Sequence, residues 1–381
     1  MAPRPSEVTL AEPRLPASAP RAGWAMRLVA SRGFQSIVAA IPGLRRIARA
    51  DGEALFDLVA GFVHSQILSA VVELRLLHLL MDGPAEARDL AAHARLDTDR
   101  MTQLCDGAVA LGLMRRRRDG RYAIARRGAA LLGVPGLEGM IRHHAVLYRD
   151  LADPLALLRG GETELSAFWP YVFGAGAASN PETARRYSDL MAESQALVAE
   201  ETLRRVDLSR AGIVLDIGGG TGAFLTALGQ AHSAPELHLF DLPAVVPDAR
   251  ARFEAAGLGS RTRITAGSFR DDPLPGGADT ITLIRVLYDH DDATVAALLR
   301  AAHDALPSGG RLVVSEPMTG GAAPNRSGDA YFAFYCMAMR TGRARSPERI
   351  ATMLREAGFA EVDDHGTSRP FVTHVLSGKR V

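Results

Sequence analysis

Ile213-Val214-Leu215-Asp216-Ile217-Gly218-Gly219-Gly220-Thr221-Gly222 reads as an apolar strand that ends in a carboxylate and runs into a loop almost without side chains. Glycine permits a tight turn and lets backbone amides approach a bound nucleoside closely. A second apolar run, Leu237-His238-Leu239-Phe240, ends in Asp241. A carboxylate there accepts hydrogen bonds from ribose hydroxyls in nucleotide-binding sheets. The two strands together describe a nucleoside-cofactor site. The glycines alone leave the cofactor open, because Gly218, Gly220 and Ala223 also satisfy the dinucleotide fingerprint G-x-G-x-x-G/A.

Outward from this loop, strands and helices alternate. Arg263-Ile264-Thr265, Thr280-Ile281-Thr282-Leu283-Ile284 and Arg311-Leu312-Val313-Val314-Ser315 read as strands, with helical stretches at Val246–Ala256, Ala293–Ala305 and Pro347–Ala357. The alternation predicts an α/β class with a doubly wound parallel sheet. Ala360-Glu361-Val362 and Phe371 to Leu376 read as a closing hairpin at its edge. Residues 135–210 are mostly helical in pattern, broken at Pro154, Pro170 and Pro181, and read as connector and cover. Before them, helical spacing runs from Ala54 through Phe62-Val63 and Ile67-Leu68 to a stop at Asp82-Gly83-Pro84. Short helices at Ala87–Ala94 and Thr98–Leu111 then lead into Leu113 to Ile124, with Asp119-Gly120 as a hairpin turn. That order describes a winged helix. The predicted organisation is a disordered Pro- and Arg-rich tail over 1–22, a winged-helix domain over 23–134, the connector, and a cofactor-binding domain over 211–381.

A chain of 381 residues with 44 basic and 43 acidic side chains has the length for two domains and no global charge case for nucleic acid. Four consecutive arginines, Arg115 to Arg118, sit beside the wing. The presumed recognition helix, Thr98 to Leu104, carries one arginine and one acid, thin equipment for reading bases, so no nucleic-acid partner is expected. Cys105 and Cys336 are too few for a disulfide framework or a thiolate zinc site, and a reducing cytoplasm is the default compartment. His143 and His144 lack a ligand set, and no metal is expected. The apolar stretch Ile67–Met81 carries Glu73, Arg75 and His78 and is too short to cross a bilayer. Trp24 to Ile47 mixes apolar residues with Arg27, Arg32, Arg45 and Arg46. Two readings stay open for it: a helix packed on its own protein or a partner subunit, and a basic amphipathic contact with an anionic membrane surface.

Leu215 to Gly222, Phe240-Asp241-Leu242-Pro243, Ala305 to Arg311, Ser315-Glu316-Pro317 and Ala357-Gly358-Phe359 together resemble the S-adenosylmethionine-dependent O-methyltransferases of the caffeate and polyketide type. The resemblance implies a homodimer, a dimerising winged-helix domain, a Rossmann-like methyltransferase domain and S-adenosylmethionine as cofactor. Asp329 to Met339 followed by Thr341 to Pro347 is similar to a narrower group, the carotenoid hydroxyl O-methyltransferases of purple phototrophic bacteria, which act on hydroxyneurosporene and demethylspheroidene. This implies a hydrophobic acceptor, the tertiary hydroxyl of an acyclic carotenoid, and a peripheral contact with the inner membrane. A polyketide, phenolic or tetrapyrrole acceptor is the enzymatic alternative. A DNA-binding or scaffold protein with a vestigial cofactor fold is the non-enzymatic one.

Carried onto this chain, the resemblance gives the cofactor set as Asp216, Gly218 and Gly220 in the loop, Asp241 and Leu242 at the ribose, Ser268 and Phe269 by the adenine, and Arg285 near the cofactor's entrance or carboxylate. Three positions depart from the family. Ser268 stands where an aspartate is usual, Tyr288 where the plant members have a histidine base, and Ala344 where they have a supporting glutamate. The expected catalytic set is therefore Tyr288, orienting the hydroxyl, with Asp289 or His290 taking the proton directly or through water. Tyr331, Phe334, Tyr335 and Met339 are expected to line an apolar channel, with Phe168 and Tyr171 on the opposite wall.

Overall fold

In this computed structural model, residues 23–168 and 194–381 are described. Packing divides the chain into two compact units, Met1–Ile67, described from residue 23, and Leu68–Val381. The first contains α1 (Trp24–Val29), α2 (Arg32–Ala40) and most of α3 (Pro42–Glu73). The Ser31 hydroxyl accepts from the Phe34 amide at 3.3 Å, satisfying one of the donors that a helix start leaves unpaired. Large apolar side chains here are exposed, Trp24 at 80% and Phe62 at 72%. Arg45–Glu73 is long and apolar enough to cross a bilayer by length and composition. This run extends well N-terminal of the apolar stretch Ile67–Met81, with Arg45, Arg46, Arg49, Asp51, Glu53 and Asp57 in its first half, Glu73 at its end and no Asp, Glu, Lys or Arg between Asp57 and Glu73.

In the second unit, Arg75 at φ 52 interrupts the helical path, and α4 (Leu76–Met81) buries Leu76, Leu77 and Leu80. Then come α5 (Ala87–Ala94), α6 (Thr98–Ala110), β1 (Met114–Arg116) and β2 (Tyr122–Ile124), in winged-helix order. Asp97 caps α6 by accepting from the Arg100 amide at 2.8 Å. The hairpin turns at Gly120, whose φ of 83 suits a tight two-strand turn. Acids meet the wing arginines, Asp106 at 3.7 Å from Arg116 and Asp119 at 3.5 Å from Arg117. Next are α7 (Arg126–Leu132), α8 (Leu137–Asp150), α9 (Pro154–Leu158) and α10 (Glu164–Phe168). A further helix, α11, is described over residues 194–205.

The large sheet is built from β3 (Ile213–Ile217), β4 (Glu236–Asp241), β5 (Thr262–Ala266), β6 (Thr280–Ile284), β7 (Arg311–Glu316), β8 (Ala360–Gly366) and β9 (His374–Lys379). Its helices are α12 (Ala223–Ala231), α13 (Val246–Ala255), α14 (Asp292–Ala305), α15 (Ala333–Met339) and α16 (Pro347–Glu356). The strand order is β5-β4-β3-β6-β7-β9-β8, with β9 antiparallel to both neighbours and the first five strands parallel.

Successive side chains leave a strand on opposite faces. Leu215 and Ile217 therefore enter a core with Val295, Leu298, Ile350 and Leu354, whereas Val214 joins Phe224, Leu228 and Phe253 on the other side. Two covered faces explain why the strands read as unbroken apolar runs. The order reverses beside β3, opening a crevice at the carboxyl ends of the strands, the usual ligand position in such sheets. One strand starts later than its sequence suggests. The Val372 and Thr373 amides turn back onto the Arg369 carbonyl at 2.8 and 3.2 Å, so β9 begins at His374 and Phe371 stays 67% exposed.

Candidate active site

β3 delivers Asp216 to the floor of the glycine loop. Its Oδ1 accepts from the Thr282 hydroxyl at 2.6 Å, and its Oδ2 lies 2.3 Å from where a Cβ on Gly219 would stand. Burial pushes this carboxyl up to about 7, against the Thr282 bond. Asp216 thus supports the loop from beneath. Gly220 has φ 60, a conformation other residues rarely adopt, and a Cβ on it would meet nothing within 4 Å. That face of the loop opens on the crevice. At the end of β4, the two oxygens of Asp241 accept from the Gly220 and Leu242 amides, each at 2.6 Å. Burial raises Asp241 to about 6 against those two bonds. An open loop backbone beside a half-buried carboxylate fits a ribose and a small charged tail.

Beyond β5, the Ser268 hydroxyl accepts from the Arg270 amide at 3.2 Å, and the Ser268 amide donates to Asp272 at 2.8 Å. Phe269 is half-buried and meets His290 edge-on at 5.2 Å. Beyond β6, Arg285 sits at φ 59, a strained conformation of the kind that collects at functional turns. Its guanidinium donates to the Ser194 hydroxyl at 2.8 Å and the Tyr288 hydroxyl at 3.3 Å.

A 3₁₀ turn, Leu287–Asp289, presents Tyr288, Asp289 and His290. Three residues outside the turn hold it. Glu316, at the end of β7, accepts from the Tyr288 amide at 3.1 Å, and burial pushes its own carboxyl up to about 8. Arg345, 2% exposed, donates to the Leu287 and His290 carbonyls, both at 2.8 Å, and to Asp292 at 2.8 Å. Gly342 is obligatory, since a Cβ there would lie 2.4 Å from the Tyr288 carbonyl oxygen.

Within the turn, burial drives the Tyr288 phenol far above its ordinary value. Burial also lifts Asp289 to about 7 against the pull of Arg285 and Tyr288. His290 Nδ1 takes a hydrogen bond from Arg270 at 3.0 Å, and burial together with Arg270 holds the ring down at about 4. A neutral imidazole whose Nδ1 accepts carries its proton on Nε2.

A π-helical stretch, Arg326–Phe332, leads into α15. The Tyr331 ring meets Phe332 at 4.9 Å, and Phe332 stands 6.5 Å from Tyr288. Tyr335 and Met339 are buried with Leu147, Leu157 and Leu165, while Tyr331 and Phe334 pack against that cluster. Tyr331 feels the Arg285 charge, while Tyr335 feels Tyr288, Asp289 and Arg285 and packs with Met339 in the core shared by α8, α9, α10 and α15. Of the opposite wall, the Phe168 side chain and Tyr171 lie outside the described residues. Two residues without a sequence role emerge: His143 and His144 place their Nε2 atoms 2.8 and 2.6 Å from the Tyr335 and Tyr331 hydroxyls. The i, i+4 spacing of the two tyrosines was their sole sequence signal. Among the described residues, no group of three or more His, Cys, Asp or Glu is placed to hold a metal.

Residues 148–360 match the O-methyltransferase domain, and residues 56–133 match the O-methyltransferase dimerisation domain. This chain belongs to the O-methyltransferase family. The enzyme uses S-adenosylmethionine, and its dimerisation domain supports a homodimer. It is 55% identical over 356 residues to the demethylspheroidene O-methyltransferase of Cereibacter sphaeroides, covering 93% of this chain and 94% of that protein. The protein of the same name from Rhodobacter capsulatus is 50% identical, covering 97% and 93%. Among solved structures, the apo form of the S-adenosylmethionine-dependent methyltransferase SibL has a TM-score of 0.71 at 28% identity, covering 86% of this chain and 98% of that one. Human N-acetylserotonin methyltransferase in complex with SAM shares the fold, with a TM-score of 0.74 at 23% identity and coverage of 87% and 97%.

Proposed function

We propose that the enzyme methylates the tertiary hydroxyl of an acyclic carotenoid of the hydroxyneurosporene or demethylspheroidene type. The observation that carries this reading is the 55% identity to a demethylspheroidene O-methyltransferase along nearly the whole chain. The site agrees with it, since Tyr331, Phe332 and Phe334 supply apolar surface beside the polar end at Arg285 and Tyr288.

S-adenosylmethionine, when bound, supplies a methyl group on a cationic sulfur, a leaving group that provides much of the driving force. Gly218, Gly220, Asp241 and Leu242 are assigned to its ribose and methionine ends, Ser268 and Phe269 to the adenine side, and Arg285 to the carboxylate. Asp216 carries the loop. What remains for the protein is alignment, worth about 7–11 kcal/mol in near-attack geometry. A general base adds about 10²–10⁴-fold, or about 3–5 kcal/mol, so an enzyme with tyrosine at the histidine position keeps most of its catalytic power. A tertiary alcohol is far less acidic than a phenol, so its proton leaves during or after carbon–oxygen bond formation. Tyr288 is assigned to orient the hydroxyl. His290, with Nδ1 taken by Arg270, lacks a free lone pair, which leaves Asp289 as the proton acceptor the motif itself offers.

A hydrophobic acceptor also favours a peripheral membrane contact. Residues 23–50 hold five arginines and no acid, expose Trp24, Met26, Ile37 and Ile47, and lie outside both matched domains. Flotation of the full chain with vesicles containing anionic lipid, and not with neutral vesicles, is the expected result. Absence of flotation with either would remove the contact.

Transfer of labelled methyl to a panel of hydroxycarotenoids and phenols in detergent, read by mass spectrometry, tests the acceptor. Label on the carotenoid hydroxyl that disappears in Asp241→Ala supports the reading. Label on a phenol alone overturns the pigment assignment.

A further inference from the structure

Two histidines and two tyrosines face each other between α8 and the helix that α15 continues, away from the glycine loop and the Leu287–Asp289 turn. The pairs are His144 with Tyr331 at 2.6 Å and His143 with Tyr335 at 2.8 Å. They differ in setting. Tyr335, within electrostatic reach of Tyr288, Asp289 and Arg285, is 6% exposed in the apolar cluster with Leu147 and Leu165 and has little surface left for a ligand. Tyr331 is only half-buried, feels the Arg285 charge at the polar end of the site, and meets Phe332, whose ring stands 6.5 Å from Tyr288.

The direction of the His144 bond follows from its surroundings. Burial raises the Tyr331 phenol, with Arg285 pulling the other way and Tyr148 and Cys336 adding to the rise. Burial lowers His144, which also lies beside His143 and meets the edge of the Tyr148 ring at 6.2 Å. Both groups are therefore neutral near pH 7, and the phenol donates to Nε2. A phenol whose proton is committed in this way offers only lone pairs to a third group. Its partner is a hydroxyl that donates, which an alcohol substrate has and its methyl ether lacks.

We propose that Tyr331 and His144 form the proton outlet of methyl transfer. The inference rests on the reading that the acceptor is an alcohol. As the substrate oxygen bonds to the methyl carbon, the carbon–sulfur bond breaks with its electron pair left on sulfur. The substrate's hydroxyl proton passes to the Tyr331 oxygen while the Tyr331 proton passes to His144 Nε2. Tyr331 ends neutral, and the imidazolium returns its proton to water. A weak base suffices, because an oxygen bearing two carbons and a proton is a far stronger acid than imidazolium. Asp289, the acceptor that the motif itself offers, is the competing candidate, and its own variant separates the two.

The test compares the full-length wild type with Tyr331→Phe, His144→Gln, the double variant and Asp289→Asn, using labelled methyl transfer to a hydroxylated acyclic carotenoid in detergent. Each single outlet variant is expected to lose about 10²-fold in kcat with KM unchanged, and the double variant to lose no more than either, as coupled members of one path do. Histidine-selective NMR without substrate supplies a second readout. The His144 titration midpoint is expected to rise in Tyr331→Phe, because the hydrogen bond that favours the neutral ring is gone. Full kcat in either single variant, losses that add in the double, loss confined to Asp289→Asn, or an unmoved His144 midpoint would each overturn the outlet. A wild type active on phenols alone overturns the alcohol reading instead. The same variants compared on the phenol then decide the outlet, with unchanged kcat counting against it.

Discussion

Arg345→Met should weaken both the fold and the turn that presents Tyr288. The guanidinium is 2% exposed and is the donor to the Leu287 and His290 carbonyls, each at 2.8 Å. Methionine keeps much of the apolar stem but offers neither carbonyl a hydrogen. A buried acceptor left without its donor costs about 1–3 kcal/mol. The ion pair with Asp292 adds little, since that carboxylate is 38% exposed and such pairs contribute about 1 kcal/mol or less. The loss should therefore reach about 3–5 kcal/mol, the scale for removing one partner of a buried charged network. Glu316 also loses the charge that most opposes its burial, so its carboxyl should rise further. Urea unfolding at fixed protein concentration reads the effect as a lower midpoint at unchanged slope. Concentration must be held constant because a dimer's stability depends on it. Arg345→Lys, a point charge without the planar fork, should fall between the two. A destabilisation of about 1 kcal/mol or less, the level of a surface ion pair, would refute the view that Arg345 is the internal donor of this turn.

The buried carboxyls set a pH trend in the absence of ligand. Glu316 and Asp216 are raised by burial to about 8 and about 7. Their contribution is complete below the unfolded carboxyl range and is lost as pH rises through the folded values, at up to about 1.4 kcal/mol per pH unit for each group. Glu201, held at about 2 despite burial by its Ser368 and Arg205 bonds, acts only at lower pH. Below about pH 6.5 the trend is opposed by His143, His238 and His290, which burial holds down at about 4, so the urea midpoint should fall between about pH 6.5 and 8, and less steeply in Glu316→Gln; a flat profile across that range in the wild type would contradict these assignments. The glycine loop separates stability from binding. Gly222→Ala puts a Cβ 2.3 Å from the Phe253 ring at φ 74 and should cost about 3 kcal/mol or more. Gly220→Ala meets nothing within 4 Å and should cost about 1–2 kcal/mol for its left-handed backbone, yet weaken S-adenosylmethionine tenfold or more by calorimetric titration. Wild-type affinity in Gly220→Ala would place the ligand away from that face of the loop.

The cofactor half of the site was legible because its chemistry is local. Gly218 and Gly220 follow directly on β3, and Asp241 closes the next strand; strand ends in a doubly wound sheet converge wherever the order reverses. Nothing comparable marks the acceptor half. His144 meets Tyr331 across 187 positions, and Arg345 reaches the Leu287 carbonyl across 58. Arg343 and Arg345 look alike in sequence, yet one side chain is 69% exposed and the other 1%. That difference depends on where α14 and the 3₁₀ turn leave carbonyls unpaired, which no spacing rule contains.

His290 shows the same limit from the other side. Its place beside Asp289 suggested a base, but the rotation that sends Nδ1 to Arg270 is set by β5 and its loop. The Tyr288 departure then acquires a physical logic. A tyrosine in the histidine position gives Arg285 an uncharged oxygen at 3.3 Å and asks another element for the proton acceptor. α8 is the element that carries a neutral imidazole already bonded to a phenol on the acceptor side of the site.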